Sequence, residues 1–199
     1  MSDSIVHLID DDEDVRRAVS FLLGTAGFAV KVYESAIQFL EKCSPSLSGC
    51  IVSDVRMPGM DGLQLLRRLK EMGIALPVVI LTGHADVALA VEAMKAGATD
   101  FIEKPFSDDV LLAAIRSALA RRLGSLSPND ASQIRARLAS LTQREREVLD
   151  GLLAGHPNKT IAYDLGLSPR TVEIHRANVM TKMAASSISE LVRMTLSVG

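Results

Sequence analysis

The residues of this chain whose types and spacing suit chemistry stand just beyond short apolar runs. Asp10 and Asp11 follow Ile5–Ile9, Asp54 follows Gly49–Ser53, Thr82 follows Val78–Leu81, and Lys104 follows Phe101–Glu103. Carboxylates crowded together repel one another and resist ionisation unless a cation neutralises them. Hard oxygen donors with room for water suit Mg²⁺. A carboxylate can also attack phosphorus and become an acyl phosphate, with a metal ion and Lys104 offsetting the charge on the transferring oxygens. Thr82 can donate a hydrogen bond to one of those oxygens. Each residue also has a plainer reading. An acid after a strand caps the next helix, as Asp12 or Asp14 can here. A threonine at a strand end forms strand, and Lys-Pro makes a turn. Convergence from four separate runs favours the chemical reading.

Convergence requires elements that bring these ends together. Strands are expected at Ile5–Ile9, Ala29–Tyr33, Gly49–Ser53, Val78–Leu81 and Phe101–Glu103, alternating with helical patterns near 14–25, 35–42, 61–72, 86–96 and 107–122. Five βα units in succession give an α/β fold, a doubly wound parallel sheet with helices on both faces. The third and fourth runs are apolar throughout, as strands covered on both sides must be. In such sheets chemistry gathers at the carboxyl ends of the strands, where these residues stand.

The texture then changes. The run from Gly124 to Asp130 reads as a hinge, a short helix at 131–139 extends it, and only helical patterns follow, at 142–154, 158–165, 169–183 and 187–197. The expected domains are 1–122, a linker at 123–140 that is partly helical, and a small all-α domain at 141–199. Residues 1–123 carry 13 basic against 17 acidic side chains, and 124–199 carry 9 against 7. The tail is therefore mildly basic, which by itself is no signature of nucleic-acid binding. No apolar run is long enough to span a membrane. The acidic start is no signal peptide. Cys43 and Cys50 lack metal-ligand spacing and read as small core residues of a reducing, cytoplasmic protein. His7 reads as structural, His84 as either loop packing or a modulator of phosphate lifetime, and His156 carries no assignment.

The all-α part has helix-turn-helix spacing. Thr142-Gln143-Arg144-Glu145 has the form of a capping box, opening a helix with Val148, Leu149, Leu152 and Leu153 on its apolar face. Ala162 is small where two helices cross, Gly166 permits the turn, and Val172 plugs the core beside Ile161, Leu165 and Leu167. Ser168 and Pro169 suit the N-cap and first position of the second helix. At about 100° per residue Val172, Val179 and Met183 share its buried stripe. The opposite face presents Arg170, Thr171, Ile174, Ala177, Asn178 and Thr181, flanked by Glu173 and Lys182. Such a mixed stripe can use major-groove base edges, with Arg170 and Lys182 suited to phosphates. A solvated helix or a plain helical hairpin shares some of these features, but not their joint spacing.

The segments Leu8-Ile9-Asp10-Asp11, Asp54-Val55-Arg56-Met57-Pro58-Gly59-Met60-Asp61-Gly62, Leu81-Thr82-Gly83 and Lys104-Pro105-Phe106 resemble the receiver domain of bacterial two-component response regulators. Those from Leu141 to Leu149, Asn158 to Ala162 and Leu167 to Arg176 resemble the NarL/LuxR class of DNA-binding domains. The resemblance spans the chain and implies the sheet order 2-1-3-4-5 and a cis Lys104–Pro105 bond. It implies Asp54 as phosphoacceptor, with Asp10, Asp11, Asp54 and the carbonyl of Arg56 around Mg²⁺. It further implies that Lys104 contacts the phosphoryl group and that Thr82 and Phe101 form a switch pair. The implied partners are a sensor histidine kinase, promoter DNA, RNA polymerase for an activator, and a second copy of the chain once phosphorylated. The implied targets are nitrogen-fixation-related genes. On helix 86–96, Leu89 and Ala93 are expected opposite the Val87–Met94 core stripe, with Val91 at its edge, which suits either a dimer face or an alanine-rich helix that simply tolerates apolar residues outside. The protein is then no enzyme beyond Mg²⁺-dependent self-phosphorylation. An aspartyl-phosphate phosphatase needs a second acid at the place of Arg56, and a ligand-sensing LuxR-type regulator has no use for the acidic cluster.

Overall fold

Strands that are apolar on both faces can only lie inside a covered sheet. The computed structural model, which describes residues 5–44, 47–83, 87–121 and 128–198, places them there. Strands β1 (Ile5–Ile9), β2 (Ala29–Tyr33), β3 (Cys50–Asp54), β4 (Val78–Thr82) and β5 (Asp100–Glu103) form one parallel sheet in the order β2-β1-β3-β4-β5. Every residue of β3 and β4 is buried. Helices α1 (Glu13–Thr25), α2 (Ala36–Glu41), α3 (Gly62–Glu71), α4 (Val87–Ala96) and α5 (Asp108–Arg121) alternate with the strands. On one side Val6, Leu8, Val52, Val79 and Leu81 pack with Leu23, Leu111 and Ile115, all essentially without solvent exposure. Each such side chain contributes about 1.5–3 kcal/mol of burial.

The strand ends differ slightly from the sequence expectation. The third strand is shifted one residue onward, so that Asp54 belongs to it and pairs with Leu81. The next amide, Val55 N–H, still donates to the Leu81 carbonyl at 2.8 Å. Thr82 likewise closes β4, paired with Glu103. Both residues are thus held by ladder hydrogen bonds rather than by a loop.

Helices α6 (Pro128–Ala139), α7 (Gln143–Leu153), α8 (Asn158–Leu165), α9 (Pro169–Met183) and α10 (Ile188–Leu196) follow. Their core holds Val148, Leu152, Val172, Val179, Met183 and Leu191, each fully buried. The described residues divide into two compact units, one holding the sheet and one holding α6–α10, and α4 groups with the latter. Two expectations about the linker change. The helix expected from 131 starts at Pro128, a residue whose missing N–H costs nothing at a first helical position. It also belongs to the helical core, because Ile134 and Leu138 pack into it and the Arg137 guanidinium donates to the Met183 carbonyl at 3.1 Å. His84 and the rest of the expected hinge, 124–127, lie outside the described residues.

Helix ends follow local chemistry. Asp12 caps α1, accepting from the amides of Asp14 and Val15. The capping box at Thr142 and Glu145 closes reciprocally, with amide-to-side-chain distances of 2.8 and 3.3 Å. Gly166 ends α8 at φ 65°, the left-handed turn that the sequence spacing requires.

His7 is the one charged-capable side chain sealed in the middle of β1. Its Nε2 donates to the Ser48 carbonyl at 3.1 Å and its Nδ1 accepts from the Tyr33 hydroxyl at 3.2 Å. Tyr33 and Phe39 stack edge-on beside it. Burial lowers its pKa from 6.5, the Ser48 bond opposes that shift and Lys31 adds to it. The unfolded chain therefore takes up a proton at a higher pH than the folded one. Stability is full above 6.5 and falls as the pH drops below it. Between pH 7 and 5 the wild-type protein should lose stability more steeply than His7→Gln, whose amide keeps the donor to Ser48. Denaturant melts at both pH values check this, and parallel slopes would rule it out.

Candidate functional site

The carboxyl ends of β1, β3 and β5 bring three charges into contact. The Lys104 ammonium lies 2.9 Å from Asp10 Oδ2 and 2.6 Å from Asp54 Oδ1. Each carboxylate has its second oxygen engaged by the main chain. Asp12 N–H donates to Asp10 Oδ1 at 3.0 Å, and Arg56 N–H donates to Asp54 Oδ2 at 2.6 Å. Asp10 is almost fully buried and Asp54 is 8% exposed, enough for one oxygen edge to be reached. Thr82 is buried at the end of the neighbouring strand, and its carbonyl accepts from Lys104 N–H at 2.6 Å. Phe101 is half-buried, paired with Ile80. The Lys104–Pro105 peptide is cis. Asp11 is exposed and, among the described residues, its carboxylate has no hydrogen bond or ion pair.

Electrostatics follow from this burial. Desolvation pushes the Asp54 carboxyl above the usual range and the Asp10 charge adds to that, while Lys104 and the Arg56 amide pull against it. Burial alone would lower Lys104, but its bonds to Asp54 and Asp10 outweigh this and raise it. The cluster is therefore one that favours a cation between two acids. Among the described residues no three side chains of His, Cys, Asp or Glu form a metal site by themselves. The donor set still fits Mg²⁺, an ion that takes one or two carboxylates and keeps several waters. Lys104 marks where positive charge is stabilised, and Asp11 follows Asp10 in the chain with no side-chain hydrogen bond or ion pair among the described residues.

Supporting residues went unassigned in the sequence. Gly62 begins α3 directly against the Asp54 carbonyl, and its amide donates to Val55. It sat in a quoted motif, but nothing in the letter sequence tells a close-approach glycine from a turn glycine. Arg16 donates from Nη1 to the Asp10 carbonyl at 2.7 Å. A lone arginine on a helix gives no signal of this kind.

The face of α9 is largely as the spacing predicts. Arg170, Glu173, Ile174, Ala177, Asn178 and Thr181 are exposed, and Val172, Val179 and Met183 are fully buried. Ser168 accepts from Thr171 N–H at 3.1 Å, and Thr171 itself is half-buried with its hydroxyl on Ser168. Lys182 departs from expectation. Its ammonium sits 2.7 Å from the buried Glu145 and also donates to the Ser140 carbonyl, so it joins α9 to the start of α7 instead of facing outward. The Lys182 hydrogen bond, with the Thr142 amide, holds the Glu145 carboxyl below its ordinary pKa. The outward stripe expected on α4 is also absent. Ala93 is fully buried, Val91 is 3% exposed and Leu89 is half-buried. With only Glu92 and Lys95 charged, α4 is apolar around most of its circumference and has no single core stripe to read.

A doubly wound sheet with an acidic, lysine-bridged edge, joined to a helix-turn-helix unit, defines a two-domain response regulator, and this chain belongs to that family. Residues 6–116 match the response regulator receiver domain, and residues 139–195 match the luxR family of bacterial regulatory proteins. Its relatives include the transcriptional regulatory protein FixJ of Azorhizobium caulinodans, 55% identical over 98% of this chain and 92% of that one. FixJ of Rhizobium meliloti is 52% identical over 100% and 98% of the two chains. The response regulator protein TodT of Pseudomonas putida is 44% identical over 98% and 87%. The crystal structure of full-length FixJ from B. japonicum, 51% identical, is similar with a TM-score of 0.58 over 100% of this chain and 98% of that one. The chain is thus a transcriptional regulator close to FixJ. No described helix is long and apolar enough to cross a membrane.

The contact at Gly62 makes the pocket sensitive to one methyl group. A Cβ there would lie 2.5 Å from the Asp54 carbonyl oxygen and 3.2 Å from Val55 Cα, both main-chain atoms. Gly62→Ala should cost about 1–3 kcal/mol, as overpacking does. Denaturant unfolding measures it, and unchanged stability would mean that the end of β3 yields freely.

Proposed function

We propose that Asp54 accepts a phosphoryl group from the phosphohistidine of a sensor kinase and that the modified chain dimerises and binds promoter DNA through α9. The observation that carries this reading is the Lys104 ammonium bridging Asp10 and Asp54 at one open edge of the sheet. An Asp54 carboxylate oxygen attacks phosphorus in line as the P–N bond to the donor histidine breaks. The bonding pair returns to the imidazole nitrogen, and a mixed anhydride remains on Asp54. Lys104 stands within reach to neutralise the incoming oxygens. Asp10, Asp11, Asp54 and the Arg56 carbonyl would hold Mg²⁺, which supplies further charge neutralisation on those oxygens. A phosphoryl group brings about 1.5–2 negative charges and strong acceptor oxygens. Thr82, buried at the next strand end, moves to meet them, and Phe101 turns inward. A small phosphodonor such as acetyl phosphate can replace the kinase, which makes this self-phosphorylation and not turnover.

On the DNA, Arg170 contacts phosphate, while Thr171, Glu173, Ile174, Ala177 and Asn178 face base edges. Lys182, committed to Glu145, is left out of that set. A dimer on adjacent half-sites joins two weak contacts at high effective concentration. Acting as an activator, it would then engage RNA polymerase in the cytoplasm. Nitrogen-fixation genes are the targets that likeness to FixJ suggests.

Asp54→Asn should abolish Mg²⁺-dependent labelling by acetyl phosphate in a folded protein. Wild-type labelling of that variant would move the phosphoacceptor elsewhere. Sedimentation with and without acetyl phosphate reads the dimer, and a monomer in both would remove that step. For DNA, Arg170→Ala should weaken binding to all sequences alike, whereas Ile174→Ala and Asn178→Ala should change base preference. Variants that keep both affinity and preference in quantitative footprints would place recognition on another element.

A further inference from the structure

Asp10 is held at every polar atom it has. Its amide donates to the Tyr33 carbonyl at 3.3 Å, and its two side-chain oxygens meet Asp12 N–H and Lys104. The remaining atom, its main-chain carbonyl, accepts from Arg16 Nη1 at 2.7 Å. Three of these partners come from the sheet, the adjacent turn and the Lys104 bridge, and only Arg16 reaches in from the body of α1. Arg16 is half-buried and makes no ion pair among the described residues. Its neighbour Arg17 instead faces outward to Glu13 at 2.8 Å on the exposed side of the same helix. Among the described residues Arg16 therefore has one polar commitment, to the peptide group joining Asp10 to Asp11.

That peptide group decides where Asp11 stands. Fixing its carbonyl fixes its plane, and with it the N–Cα bond about which the Asp11 side chain turns. Asp10 and Asp54 already share Lys104, so among the described residues Asp11 is the acid of this group with both oxygens uncommitted. An exposed side chain with no partner of its own can present a consistent donor geometry only if its backbone is held. The guanidinium is suited to this, being planar, permanently charged and less strongly hydrated than an ammonium.

We propose that Arg16 is a positioning residue for the divalent cation: by clamping the Asp10–Asp11 peptide it holds the Asp11 carboxylate where Mg²⁺ can be bound. The inference rests on the reading of the acidic cluster as an Mg²⁺ site. Outer partners that orient metal ligands typically cost 10–100-fold in affinity when lost.

The test is calorimetric titration of the full-length protein with MgCl₂ for wild type, Arg16→Met, Arg16→Lys and Asp11→Asn. Arg16→Met keeps the apolar stem and removes donor and charge, and it should weaken Mg²⁺ binding about tenfold. Arg16→Lys, with one charged donor, should fall between Arg16→Met and wild type. In acetyl phosphate labelling, the Mg²⁺ concentration giving half the maximal rate should rise by the same factor, with the rate at saturating Mg²⁺ retained. Unfolding midpoints measured without metal separate a folding defect from this effect, and the graded affinity of Arg16→Lys decides the matter if Arg16→Met does not fold. If Asp11→Asn binds Mg²⁺ like wild type, the metal reading itself is wrong. If Asp11→Asn weakens binding and neither Arg16 variant does, the role of Arg16 is overturned while the metal reading stands. Loss of labelling at saturating Mg²⁺ in a folded Arg16→Met also overturns it, since Arg16 would then act on the chemistry.

Discussion

Two carboxylates removed from water must share a cation, and the rest of the receiver is arranged around that requirement. Asp10 and Asp54 come from adjacent strands and Lys104 from the far edge strand, yet the ammonium touches both at under 3 Å. Taking such charges out of water costs several kcal/mol per ion unless each is paired and its remaining lone pairs are filled. The structure meets both conditions. Main-chain amides of Asp12 and Arg56 fill the second oxygens, and the ladder from β3 to β4 holds Asp54 to its last backbone group. The sheet, apolar on both faces, is the rigid body that keeps three strand ends in one register.

The bridging cation is the least constrained member of the cluster. Lys104 lies on a flexible stem and is about a quarter exposed, so it can swing while the carboxylates stay in place. Asp11, next in the chain after Asp10, is exposed.

Much of this was legible in the sequence because strand ends are local. An apolar run followed by an acid, a threonine or a lysine places that residue at the carboxyl edge, and five such units in a row dictate a parallel sheet. The helix-turn-helix was legible for a similar reason, since Ala162, Gly166 and Val172 mark crossing, turn and plug at fixed spacing. What escaped were contacts made between elements. Lys182 reads as an outward cation until α7 is folded beside it and Glu145 is buried there. Ala93 reads as outward because an alanine-rich helix has no polar face to orient it. Pro128 reads as a break, although the same missing N–H suits the start of α6. Gly62 and Arg16 act on main-chain carbonyls, and no side-chain pattern records where those point.

The buried pairing of Lys182 has a consequence for how this protein responds to its ionic surroundings. Charges that grip phosphate release condensed counterions, and this release is what makes DNA binding fade as salt rises. Among the basic residues of the helical unit, Lys182 faces Glu145, Arg137 holds the Met183 carbonyl and Arg146 holds that of Ala139. Lys182, paired with a carboxylate, is thereby spent on stitching two helices together and has little to exchange with a phosphate backbone. A count of lysines and arginines would overstate the ionic part of the grip. A larger share of any hold on DNA then falls to fit in the groove, which salt screens less than it screens phosphate contacts.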